Sequence, residues 1–174
     1  MMRMNKRGAY FFVIDAMIAG SIIFLTIILI FTTHSLKPEA SPTLRVVTDY
    51  TSFLSTTKVR QFQGDYVQSL INDSNITNLD NTLLEQLVDF YYINITGERD
   101  TGVIMSNFTM EVSNGIIPDE RSFALYLNNV SIYERVMKSM DESKLVLSSQ
   151  KILFKVVNST YIYGPIILEV RVWV

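Results

Sequence analysis

Met1-Met2-Arg3-Met4-Asn5-Lys6-Arg7-Gly8 runs straight into Ala9-Tyr10-Phe11-Phe12-Val13-Ile14-Asp15-Ala16-Met17-Ile18-Ala19-Gly20-Ser21-Ile22-Ile23-Phe24-Leu25-Thr26-Ile27-Ile28-Leu29-Ile30-Phe31. A short basic head thus precedes an apolar run in which Asp15 is the sole carboxylate. As a helix rising about 1.5 Å per residue, the run covers the roughly 30 Å hydrocarbon core of a bilayer. Residues 9–33 are therefore expected to form a membrane helix. Arg3, Lys6 and Arg7 all precede it, so the positive-inside rule keeps the head cytoplasmic and sends the C-terminal part across.

After His34, two prolines in Lys37-Pro38-Glu39-Ala40-Ser41-Pro42 interrupt the helix and mark 34–42 as a linker. Residues 43–174 are enough for one domain with its own core and too few for two. The 15 basic and 17 acidic residues nearly balance, and no basic stripe marks a nucleic-acid surface. The chain has no cysteine, which excludes disulfides and thiolate metal sites. Six N-x-[ST] sequons, at Asn72, Asn75, Asn94, Asn107, Asn129 and Asn158, exceed the roughly two that chance placement would give. All fall in the part expected outside, and they are the candidate N-glycosylation sites.

Within 43–174, hydrophobic period assigns the classes. Leu44, Val47, Thr51 and Leu54 recur at helical spacing, extended less regularly by Val59, Phe62, Val67 and Leu70, so 43–71 reads as one or two helices. Leu79, Leu83, Leu84, Leu87, Val88 and Tyr91 form a helical stripe behind the capping box Thr82-x-x-Glu85. From Asn94 the period changes to two: Phe108, Met110, Val112; Phe123, Leu125, Leu127; Ile152, Phe154, Val156; Leu168, Val170, Val172, Val174. Asn114-Gly115, Asn128-Asn129 and Tyr163-Gly164-Pro165 read as turns between strands. The pairs Tyr91-Tyr92 and Tyr161-x-Tyr163 read as half-buried aromatics of a helix and a strand. The expectation is an α+β fold: 43–93 mainly helical and 94–174 mainly β, with the helices covering an antiparallel sheet.

The N-terminus resembles type IV prepilins, most closely the pilin-like proteins of archaea. The class III signal peptides of that family are short basic leaders ending in Lys/Arg-Gly, which Lys6-Arg7-Gly8 before Ala9 matches, and Phe11 to Ala19 resembles the pilin stretch Phe-x-x-Ile-Glu-x-Met-Ile-Ala. The resemblance implies removal of leader 1–8 by a prepilin peptidase. Assembly machinery would then build identical or homologous subunits into a filament through the apolar helix. Asp15 would pair with a neighbouring subunit's amine. Ala16, Ala19 and Gly20 supply small residues on which membrane helices approach closely. The alternative is an uncleaved single-pass anchor, embedded in membrane lipid, whose ectodomain acts as an envelope-complex or extracellular binding module.

Catalytic motifs do not appear: no HExxH, GxSxG or Walker loop. Asp119-Glu120 and Asp141-Glu142 are too few oxygen ligands for a calcium loop. The expectation is a structural protein, not an enzyme, with neither cofactor nor metal.

Overall fold

The computed structural model describes residues 6–35 and 42–174, with side-chain surroundings at 11–30 and 45–174. It divides into two units at residue 39. The first holds one helix, α1 (Lys6–Ser35); residues 1–5 of the expected leader, and Pro38 of the linker, lie outside the described residues.

The second unit is α+β. Four helices, α2 (Pro42–Thr56), α3 (Asp65–Asn72), α4 (Leu83–Thr96) and α5 (Gly102–Ser113), precede four strands, β1 (Ser122–Leu127), β2 (Val130–Arg135), β3 (Val146–Asn158) and β4 (Tyr161–Trp173). The strands form one antiparallel sheet ordered β2-β1-β4-β3. The C-terminal strand is thus interior, and β2 and β3 are the edges.

Pro42 opens α2, where a proline's missing N–H costs nothing. In α4 the expected capping box forms: Glu85 N donates to Thr82 Oγ1 at 3.2 Å and Thr82 N to Glu85 Oε2 at 2.7 Å. Gly97 ends that helix with φ of 74°, a left-handed position that glycine adopts at little cost. Leu83, Leu84, Leu87, Val88 and Tyr91 are buried as the stripe requires, whereas Leu79 precedes the helix and is exposed.

The β reading begins too early. Phe108, Met110 and Val112 lie on α5, not on a strand. Met105, Phe108, Thr109 and Val112 are buried while Met110 is exposed, a spacing of three and four residues that defines a helix face. The alternation at 108–112 is a three-residue coincidence inside that longer pattern. Asn114-Gly115 accordingly leaves a helix, with Asn114 as its C-cap, and does not join strands.

Asn128 and Asn129, both at positive φ (48° and 64°), make the two-residue turn between β1 and β2. Tyr163-Gly164-Pro165 is a second correction: these residues lie inside β4. The turn between β3 and β4 is Ser159-Thr160, flanked by the pair Asn158 and Tyr161; Asn158 Oδ1 accepts from Thr160 N and Oγ1, both at 2.9 Å.

The core lies between sheet and helices. Phe123, Leu125 and Leu127 of β1 and Ile166, Leu168, Val170 and Val172 of β4 are fully buried. Tyr50 of α2 meets Phe123 edge-on at 5.2 Å, and Phe90 of α4 meets Phe108 at 5.8 Å. Burial of the Tyr50 hydroxyl raises its pKa above the ordinary phenol value.

Part of the opposite sheet face is also covered. The connection between β2 and β3 ties back to it: Met137 N and Lys138 N each donate to Ser122 Oγ at 3.0 Å, and Trp173 Nε1 donates to Lys138 O at 2.7 Å. Trp173 is consequently buried, although it alternates with the core residues of β4.

Candidate functional site

Helix α1 carries a span, Phe11–Ile30, long and apolar enough to cross a membrane, and none of it is buried within the chain. Its hydroxyls are satisfied locally: Ser21 Oγ donates to Met17 O at 2.8 Å and Thr26 Oγ1 to Ile22 O at 2.7 Å. Asp15 differs. It is exposed and has no hydrogen-bond or ion-pair partner among the described residues. Ala16, Ala19 and Gly20 are exposed on the same helix, and a Cβ added at Gly20 would meet nothing within 4 Å. Lys6, Arg7, Gly8 and Ala9 form the start of α1, with continuous helix through Gly8 and Ala9. The span thus carries a lone carboxylate and small residues on one bare apolar helix, with no partner for Asp15 among the described residues.

The six sequons divide by geometry. Asn72 ends α3 and is exposed. Asn129 is exposed within the β1–β2 turn and Asn158 at the end of β3, beside the β3–β4 turn. Asn75 and Asn94 are half-buried and already engaged: Arg99 Nη1 donates to Asn75 Oδ1 at 2.6 Å, and Thr101 N to Asn94 Oδ1 at 3.0 Å. Asn107 sits within α5, and the hydroxyl-bearing residue of its sequon, Thr109, is buried. By exposure alone the sequons divide in two: Asn72, Asn129 and Asn158 face solvent, while Asn75, Asn94 and the Asn107-x-Thr109 sequon are partly or wholly covered.

One cavity, about 380 Å³, opens between α4 and β3. Its wall holds Lys155 ion-paired with Asp89, Lys151 Nζ donating to Ser55 Oγ at 2.7 Å, and Asn81 Nδ2 donating to Asp89 Oδ2 at 3.0 Å. These polar groups satisfy one another, which makes the cavity a structural seam. Tyr92 packs edge-on against Tyr163 at 5.2 Å, so the two tyrosine pairs are joined in packing between α4 and β4.

Reading the sequence missed the most developed polar cluster on the outer sheet face. Arg171 donates from Nε and Nη2 to the two carboxylate oxygens of Glu169 at 2.7 and 2.9 Å, and its guanidinium lies 4.6 Å from the centre of the Tyr126 ring. The Arg171 hydrogen bonds hold the Glu169 carboxyl below its ordinary pKa, against the opposing effect of burial. Glu-x-Arg spacing on one strand face was the available signal.

Comparison with protein families, with curated proteins and with solved structures finds no match to this chain.

Proposed function

We propose that the chain is a type IV pilin-like structural subunit, anchored by residues 9–33 and presenting the α+β unit outside the membrane. The supporting observation is the bare span Phe11–Ile30 with Asp15 unpaired on it, directly after Lys6-Arg7-Gly8. A carboxylate near the end of a membrane helix is costly unless paired or hydrated. A subunit amine in a helical bundle would neutralise it, while the apolar surface would exchange lipid for neighbouring helices. Glycans at Asn72, Asn129 and Asn158 would then decorate the outer domain.

The second reading, an uncleaved single-pass anchor carrying a binding module, draws on the position of Asp15. After a cut before Ala9 it would be the seventh residue, two beyond the usual pilin glutamate, a rotation of about 200° around the helix. The deciding experiment is the N-terminal residue of the chain recovered from its own membranes, read by intact mass. A chain beginning at Ala9 supports the pilin-like subunit; one beginning at Met1 or Met2 overturns it in favour of the uncleaved anchor.

A further inference from the structure

Helix α2 fixes the end of the sheet at which the chain enters the α+β unit. Ser55 of α2 accepts from Lys151 of β3. Tyr50, five residues earlier, packs on Phe123, which is in register with Val172 and, through it, Leu147 of β3. The helix therefore runs along β3 in the same direction as the strand. Its start at Pro42 lies toward the end marked by Ser122, Trp173 and Val146. Only residues 36–41 separate Pro42 from the end of α1, a tether of at most about 25 Å. The turns bearing Asn129 and Asn158 lie at the opposite end of the sheet.

The entry end carries exposed apolar side chains. Val136 and Met137, which follow β2, are 55% and 59% exposed, and Leu145, Val146 and Val174 are exposed as well. Backbone bonds gather these three segments. Lys144 N donates to Val174 O at 3.0 Å and Val174 N to Leu145 O at 3.2 Å, while Met137 N donates to Ser122, which pairs with Trp173. The patch is on the order of 400 Å², within the range of the largest patch on a monomer. The loop between β2 and β3 sets Lys138 and Lys144 against Asp141 and Glu142, so its charges balance and its attraction is apolar. A protein partner would have to match shape or charge. A lipid surface has to match neither, and the short tether to α1 keeps one at hand.

We propose that this end of the sheet, through Val136, Met137, Leu145, Val146 and Val174, docks on the bilayer that holds α1, seating these side chains at the headgroup boundary. The proposal rests on residues 9–33 lying in a membrane, which both readings of the chain share, and it stands whether or not the leader is removed. Because the contact is apolar, it persists in zwitterionic lipid and at high salt, unlike attraction of a basic segment to anionic lipid. Docking by this end presents the far hairpin turns, with Asn129 and Asn158, away from the lipid.

The chain has no cysteine, so a single introduced thiol carries a fluorophore without background. The full-length chain with Met137→Cys is compared, in phosphatidylcholine vesicles, with Ile162→Cys, which is 61% exposed and apolar but lies on the far hairpin. A nitroxide-bearing lipid should quench the label at 137 several-fold more than the label at 162, at low and high salt alike. Adding Val136→Glu and Leu145→Glu should abolish the difference while circular dichroism shows the chain folded. Equal quenching at the two positions, stronger quenching at 162, or quenching unmoved by the two glutamates overturns the proposal. Alkaline extraction separates the two failures. A chain released by carbonate refutes the membrane anchor, and the docking with it, whereas a retained chain whose label at 137 stays unquenched refutes the docking alone.

Discussion

Glu111 of α5 caps helix α3: Tyr66 N donates to its Oε1 at 2.8 Å and Val67 N to its Oε2 at 2.9 Å. The N-cap position of α3 is Gly64, which has no side chain to do this. The two features belong together, because a Cβ on Gly64 would collide with the Glu111 carboxylate. A negative charge at a helix N-terminus satisfies free N–H groups and complements the helix dipole. Glu111→Ala is expected to cost about 1–2 kcal/mol in chemical denaturation. It should also raise hydrogen exchange at the Tyr66 and Val67 amides selectively. Gly64→Ala should destabilise in the same direction by displacing the carboxylate.

Helix α5 predicts its own mutational pattern. Phe108→Ala removes a buried ring packed on Phe90 and is expected to cost about 3–5 kcal/mol. Met110→Ala, at an exposed position, should change the denaturation midpoint little. A strand would have made the two positions equivalent, so similar losses at both would refute the helix.

The Glu169–Arg171 pair gives the α+β unit an acid-sensitive contribution. Because the folded-state pKa of Glu169 is lowered, chiefly by the Arg171 hydrogen bonds, the unfolded chain binds the proton more readily. The pair's stabilisation is fully present above the ordinary carboxylate value, about 4.3, and is lost as pH falls through the lowered folded value. Glu169→Gln should remove that part of the acid slope in a series of unfolding curves. An unchanged slope would assign the acid sensitivity to other carboxylates.

Under the pilin-like reading, Asp15→Ala should leave the chain in the membrane fraction, since it makes the span more apolar. The same change should abolish high-mass, shearable assemblies in sheared cell-surface fractions. Assemblies of normal yield would remove the pairing role from Asp15.

Glycan mapping by peptide mass spectrometry tests the division of the sequons. If modification follows folding, occupancy is expected at Asn72, Asn129 and Asn158, and not at Asn107, whose Thr109 is buried. Full occupancy at Asn107 would place modification before folding.

The local signals survive intact into the structure. The length and apolarity of Phe11–Ile30, the Thr82/Glu85 box, the Asn128-Asn129 turn and the inward alternation of Phe123, Leu125 and Leu127 are each settled within a few residues, by chain length, backbone capping or side-chain period. They sufficed for a membrane-length helix followed by an α+β unit. Tertiary structure decided what depends on partners distant in sequence. It made Gly102–Ser113 a helix, because Met105, Phe108 and Val112 find a common core there. It drew Gly164-Pro165 into β4 and aimed Ile152, Phe154 and Val156 outward. A strand's period says that one face is apolar, but not which face meets the helices. In β3 that choice followed Lys151 and Lys155, whose ammonium groups find Ser55 and Asp89 beneath the sheet, leaving the apolar side chains to the surface.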